Sequence, residues 1–357
     1  MPSTPVSLSA AQPIVQAQAL GPLWPTIDPF LFCAHHDDAY PAGNAAFGPA
    51  VPIDDRQIGS DFSRKDGWSM YHGDTVPGFP GHPHRGFETV TLVRKGLIDH
   101  SDSLGAAARF GGGDVQWVTA GKGIVHSEML PLLNATEPNP LELFQIWLNL
   151  PAKSKMVEPH FTMLWNERIP RLVRQDAAGR TTTVTVVAGA LPGAAAPLAP
   201  PPESWASQPE GDVAIWTLHM EPGAQWTLPA AQGQDTRRML YFFGGDSLRV
   251  GPQDVGQHAA LELVAGQDWP LTNTGAAPVE CLLLQGQPIG ESVAQYGPFV
   301  MNTQAEIMPA MNDYRRPQFG GWPWAEPDPV PGTEARRFAR YPGQTDEERP
   351  AQSVAAG

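Results

Sequence analysis

The chain is 357 residues long, 41% hydrophobic, and carries a formal charge of −14 at neutral pH. That apolar content can bury a sizeable core and excludes wholesale disorder, while the acidic balance, with no run of basic residues, gives no electrostatic reason to bind nucleic acid directly. Thirty-six glycines and 39 prolines disfavour long helices and suit short strands joined by tight turns.

Residues 1–23, mostly Ala, Gln, Pro and Ser with scattered aliphatics, read as an N-terminal arm. The first charged side chain comes only after Ile27, so the basic start of a secretory signal is missing. Residues 24–170 form the first expected domain. Strand-like runs are dense there, and eight of the ten histidines fall between Trp24 and Trp165. Within it, His35-His36-Asp37-Asp38 reads as a surface loop, since neighbours on a strand point to opposite faces and cannot aim at one ion. Arg171–Asp176 reads as a linker. Residues 171–300 form the second expected domain, with strands at Thr181–Leu191, Trp216–His219, Met239–Phe243, Leu261–Val264 and Val279–Leu284 separated by Gly, Pro and Asn turns. Its two histidines, His219 and His258, stand apart and without partners, so this domain is expected to be metal-free. A helix over Thr303–Tyr314 should be short or kinked at Pro309. Residues 301–357 form a C-terminal extension whose Trp322 and Trp324 should dock rather than float, with the end beyond Pro342 solvated. The fold class is therefore all-β, two sandwiches or barrels in tandem with a few short helices. No stretch approaches 18 apolar residues, so no membrane span is expected. The two cysteines, Cys33 and Cys281, form no CxxC pair, which fits a reducing cytoplasm.

The chemistry concentrates in two segments. In Gly81–Leu92, a strand starting near His82 would place His82, His84 and Glu88 on one face, and two imidazoles separated by one residue can converge on a metal. In Gly113–Met129, a strand at Val115–Val118, a turn at Ala120–Gly123 and a return strand at Ile124–Met129 put His126 and Glu128 on one face. Three imidazoles and a carboxylate from two hairpins suit Fe(II), Mn(II), Ni(II), Cu(II) or Zn(II), with positions left for exogenous ligands. The remaining groups read more plainly. His72 either lines the site or sits in a turn, His100 is a satisfied strand-end histidine, His160 is exposed, and Cys33 lacks the basic neighbours of a nucleophile. No phosphate loop, serine-hydrolase elbow or nucleotide fingerprint is visible.

The segments HPHRGFETVT (82–91), GDVQWVTAGKGIVHSEM (113–129), FQIWLNLP (144–151) and YGPFVMNT (296–303) resemble the pirin family of the cupin superfamily, and the resemblance runs from about Trp68 to Asn312. It implies two tandem cupin barrels of the double-stranded β-helix (jelly-roll) type, with one divalent metal, Fe(II) first, in the N-terminal barrel. By position the metal ligands would be His82, His84, His126 and Glu128. Glu88, a ligand in other cupins, would be left supporting the site. A longer leader, an insertion at Pro131–Pro140 just beyond Glu128, and an extended tail depart from shorter pirins.

The resemblance further implies a quercetin 2,3-dioxygenase-type reaction. A flavonol or similar phenolic would meet O2 at the metal, with Glu128 as the catalytic base and Phe87, Trp117 and Trp147 as a flat apolar wall. The alternative it implies is an iron-dependent redox-sensing regulator that binds protein partners. A third reading is a storage-type cupin with a purely structural metal.

Overall fold

A computed structural model describes residues 12–351. It is built of short strands with a single α-helix among the described residues, Gln304–Arg315, capped by Thr303 and Glu306 and carrying Pro309 inside it. Among the described residues no helix is long and apolar enough to cross a membrane. The chain divides into two compact units. One contains residues 12–21, Pro170–Pro197 and Pro209–Pro288, the other Pro22–Ile169, Leu198–Gln208 and the chain from Ile289 onward.

The unit that carries the histidine-rich segments pairs two sheets. One has six strands in the order His160–Leu164, Val115–Thr119, Phe87–Lys95, Asn139–Asn149, Phe30–Tyr40 and Leu23–Trp24. The other has five, in the order Phe338–Arg340, Ala107–Gly111, Leu97–Asp102, Ile124–Met129 and Gly78–His84. Almost every residue of Phe87–Lys95, Val115–Thr119 and Ile124–Met129 is buried, as expected of strands covered on both faces. The other unit has a seven-stranded sheet and a four-stranded one, closed on a core that includes Val184, Trp216, Leu240, Phe242, Leu261 and Leu283.

Three expectations are corrected. Ile14–Ala19, read as part of an arm, is a strand paired antiparallel with Ala259–Leu263; the remainder of that expectation, residues 1–11, lies outside the described residues. Arg171–Gln175, read as a linker, is an edge strand on Thr181–Ala188 in which only Leu172 is buried, so its charged residues are the protection that an edge needs. His35–Asp38 is no loop but part of the Phe30–Tyr40 strand, paired with Asn139–Asn149.

The two site-bearing segments are also not hairpins within one sheet. The strand carrying His82 and His84 ends at Arg85-Gly86, and Phe87–Lys95 begins in the opposite sheet. Gly86 makes that corner at φ 83°, and a side chain there would collide with the Val300 carbonyl at 1.9 Å. Val115–Thr119 and Ile124–Met129 likewise belong to different sheets. This crossing from sheet to sheet after each short strand is the jelly-roll pattern.

The tail continues this unit. Phe338–Arg340 adds an edge strand to Ala107–Gly111, and the Trp324 indole N–H donates to the Asp102 carbonyl at 2.8 Å. Arg109, fully buried, forks onto both Asp99 oxygens at 2.6 and 2.7 Å and also donates to the carbonyls of Gly332, at 3.1 Å, and Glu334. Arg109→Ala would leave the buried Asp99 carboxylate unpaired and should cost about 3–5 kcal/mol. A drop in denaturant midpoint, with new proteolytic cleavage beyond residue 320, is the expected readout.

Candidate metal centre

One face of the five-stranded sheet gathers the titratable groups. Strand register pairs His82 with His126, and His100 with Glu128, and directly paired residues share a face. The period of two then adds His84 and Asp102 to that face. The Gly78–His84 strand also bulges. Phe79 pairs with Glu128 and His82 with His126, so three steps on one strand match two on its partner. Pro80 has no N–H to give the ladder and suits the bulge. The extra residue turns Phe79 onto the same face as His82, 6.3 Å away between ring centroids.

The donor atoms of His82, His84 and His126 all lie within 4.8 Å of one another, the spread of imidazoles aimed at one ion about 2 Å from each. Two observations fit a metal there. Both ring nitrogens of His126 are buried without a hydrogen-bond partner, a vacancy that costs roughly 1–3 kcal/mol for each atom if nothing fills it. The His82 Nδ1 lies 2.9 Å from the Pro80 carbonyl, so that nitrogen carries the proton and Nε2 keeps a free lone pair. Burial holds all three rings neutral, the form that ligates: it lowers His82 to about 4 and His84 and His126 well below the usual histidine value. His84 and His126 are closed off, whereas His82 is partly accessible, so the cluster opens on its His82 side.

Glu128 stands beside the triad, with Oε2 4.0 Å from His126 Nε2. The Thr91 hydroxyl donates to Oε1 at 2.9 Å and the Gln145 amide to Oε2 at 2.8 Å. Burial raises its pKa, opposed by the charge of His100 and these two hydrogen bonds. Glu88 faces elsewhere, because the corner at Gly86 separates its strand from that of His82 and His84. Its carboxylate accepts from Thr119 at 2.7 Å and from Ser204 at 2.5 Å, and burial raises its pKa to about 7.

Sequence reasoning missed His100, Thr91, Gln145 and Ser204. His100, read as a strand-end residue, has its ring centroid 5.4 Å from that of His126 and its Nε2 3.1 Å from Asp102 Oδ2; only strand register reveals this. Thr91 and Gln145 were already inside the quoted HPHRGFETVT and FQIWLNLP segments, where period-two spacing could have pointed to them. Ser204 follows more than a hundred residues after Glu88, and no local signal links the two. His35 and His36 do point to opposite faces: His35 stacks on Phe144, and His36 meets Tyr71. His72 is exposed, bonded to the Gly59 carbonyl and packed by its ring edge on Phe79. Trp147 closes on His84 and Phe87, at 5.5 and 4.4 Å between centroids.

A jelly-roll barrel with a histidine cluster on one inner sheet face, followed by a second barrel, defines a bicupin. The Pirin family profile matches residues 15–148, and that of the Pirin C-terminal cupin domain matches residues 215–320. A pirin-like protein of Solanum lycopersicum is 36% identical over 245 residues, 67% of this chain and 75% of the relative. Human Pirin is 33% identical over 255 residues, 70% of this chain and 80% of the relative. A crystal structure of quercetin 2,3-dioxygenase from Acinetobacter baumannii matches with a TM-score of 0.66 at 25% identity, covering 87% of this chain and 99% of the other. The chain belongs to the pirin family.

The depressed histidines carry a pH dependence. His36 and His82 are both held near 4 in the folded chain, chiefly by burial, against about 6.5 when unfolded. Below 6.5 the unfolded state binds protons that the folded state does not, so stability falls with decreasing pH. Denaturant titrations of chelator-treated protein should show this loss develop between about pH 6.5 and 4.

Proposed function

We propose that this chain is a metal-dependent dioxygenase of the quercetin 2,3-dioxygenase type, with His82, His84, His126 and Glu128 holding one divalent ion, Fe(II) first, in the first barrel. The observation that carries the reading is the convergent, neutral histidine triad with both His126 ring nitrogens left without a hydrogen-bond partner. The likeness to a quercetin 2,3-dioxygenase across 87% of the chain supports the substrate class, a flavonol or related phenolic with O2.

A bound divalent cation supplies positive charge that favours a deprotonated hydroxyl and a centre at which O2 can react. The chain supplies the rest. Trp147 and Phe87 form a flat apolar wall beside His84, suited to an aromatic ring. Glu128 is the acid–base group: burial favours its protonated form, and its carboxylate stands 4.0 Å from the His126 ring. The Thr91 and Gln145 donors fix which lone pairs it presents. His100, with Nε2 3.1 Å from Asp102 Oδ2, keeps a further imidazole against His126.

The test is aerobic turnover of a flavonol by Fe(II)-loaded protein, followed by oxygen uptake and carbon monoxide release. His82→Ala and His126→Ala should each abolish bound metal, measured by elemental mass spectrometry, and lower turnover at least a hundredfold. Glu128→Gln should retain most of the metal and lose about 10²–10⁴-fold in rate, the usual worth of a positioned acid–base group. Turnover that survives the paired histidine substitutions would refute the assignment.

A further inference from the structure

Outside the histidine triad, an aromatic ladder runs from the partly accessible His82 to the surface. Phe79, brought to the metal face by the strand bulge, stacks on Tyr71 at 5.1 Å with an interplanar angle of 26°. His72 and His36 set their edges against Phe79 at 5.8 and 6.2 Å. Phe62 completes the ladder, 5.5 Å from Tyr71 and 5.1 Å from His72, yet it is 54% exposed. An apolar ring so open, ending a stack that leads to the open side of a metal site, is what a planar ligand would cover.

One polar atom on this ladder has a defined hydrogen-bond role. Asp38 accepts from the Ser69 N–H at 3.1 Å and from the Tyr71 hydroxyl at 2.7 Å. Tyr71 has one proton, and Asp38, raised by burial to about 6, is ionised at neutral pH and can only accept, so that proton goes to Asp38. The Tyr71 oxygen is then an acceptor, and His36 Nδ1, 2.7 Å from it, must be the donor. A neutral His36 with its proton on Nδ1 presents a lone pair on Nε2, and Nε2 has no partner among the described residues. Burial keeps the ring neutral. The chain Asp38–Tyr71–His36 therefore holds a fixed acceptor beside the aromatic ladder, on a ring that neither ligates the metal nor lies within two residues of a residue that does.

We propose that His36 Nε2 and the Phe62–Tyr71–His72–Phe79 ladder form a subsite that reads a ring hydroxyl of a planar aromatic ligand, beyond whichever hydroxyl the metal centre engages. The ladder supplies stacking area, and His36 supplies a hydrogen-bond acceptor that discriminates among ligands of the same shape. A site built to bond a hydroxyl penalises an analogue that lacks it, because the protein's polar group is left unpaired. This inference rests on the phenolic reading above but is tested by binding rather than turnover.

The experiment is a fluorescence titration of the full-length, metal-loaded chain under anaerobic conditions with quercetin and with 3-hydroxyflavone. The second ligand keeps the hydroxyl beside the ketone and lacks the others. Wild type should prefer quercetin by about tenfold, the worth of one good hydrogen bond. His36→Phe keeps a ring in place and removes the acceptor, so the preference should fall close to one while 3-hydroxyflavone affinity stays within about threefold. Tyr71→Phe, which keeps the ring but releases the His36 tautomer and takes a donor from Asp38, should reduce the preference part of the way. Phe62→Ala should weaken both ligands alike. No preference in wild type, or a preference unchanged in both His36→Phe and Tyr71→Phe, overturns the subsite. Oxygen uptake reports separately: binding that follows this pattern without turnover would refute the dioxygenase reading and leave the subsite standing, and turnover with an unaltered preference would do the reverse.

Discussion

Strand register in the five-stranded sheet is the constraint on which the site depends. His82 opposite His126 and His100 opposite Glu128 place the ionisable groups of three strands on one inner face. A slip of one residue in any of these strands would send its groups to the other face. The Pro80-Gly81 bulge helps to hold the register. The Pro80 carbonyl accepts from His82, and the Gly81 N–H donates to the Pro327 carbonyl at 2.7 Å, so the irregular residues are tied both to the site and to the tail. The tail in turn contributes an edge strand to the same sheet. An extension that could be dismissed as an appendage is part of what keeps the histidine strands in place.

Electrostatics gives that geometry its meaning. Three imidazoles buried together would repel one another if protonated, and burial alone already favours the neutral form. Glu128 meets the opposite difficulty, an anion removed from water and relieved by Thr91 and Gln145. A divalent cation resolves both at once: it uses the lone pairs that the neutral rings expose and compensates the carboxylate. With three neutral rings and one carboxylate the centre would keep a net positive charge, which suits an anionic ligand.

The parts of this arrangement legible in the sequence were those encoded locally. HxH and HxE spacing on β-rich text pointed to His82, His84, His126 and Glu128, and the structure brings the three histidines together with Glu128 beside them. Alternation along a strand separated His35 from His36 correctly. What could not be read was which strands pair. Period-two spacing puts Glu88 on the face of His82 only in an unbroken strand, and a single left-handed glycine at position 86 sends it to the other sheet. His100 and Ser204 were invisible for the same reason: their neighbours are set by register and by a returning segment, not by spacing along the chain. Ile14–Ala19 carries aliphatic and polar residues suited to a strand, but its partner lies some 240 residues on, and a lone edge strand has no local signature.

The two barrel interiors differ in the chemistry their side chains leave unfinished. Of the two tandem units, the second fills its core with aliphatic and aromatic side chains whose burial is favourable without a ligand. Its histidines lie outside that core: His219 is nearly half exposed, and His258 donates from Nε2 to the Gly245 carbonyl near the surface. The first interior buries both nitrogens of His126 and the amide of Gln116 without partners, whereas in the second, among the described residues, the Thr182 hydroxyl alone is so left. Stability alone would not select such groups, since apolar replacements of similar volume would avoid their desolvation. Their retention at the centre of an otherwise well-packed barrel is what a ligand-dependent interior looks like. At its partly accessible His82 side that interior meets Phe79, and through it Tyr71 and the exposed Phe62. A metal held only to staple the barrel would need the polar cluster but not that aromatic approach.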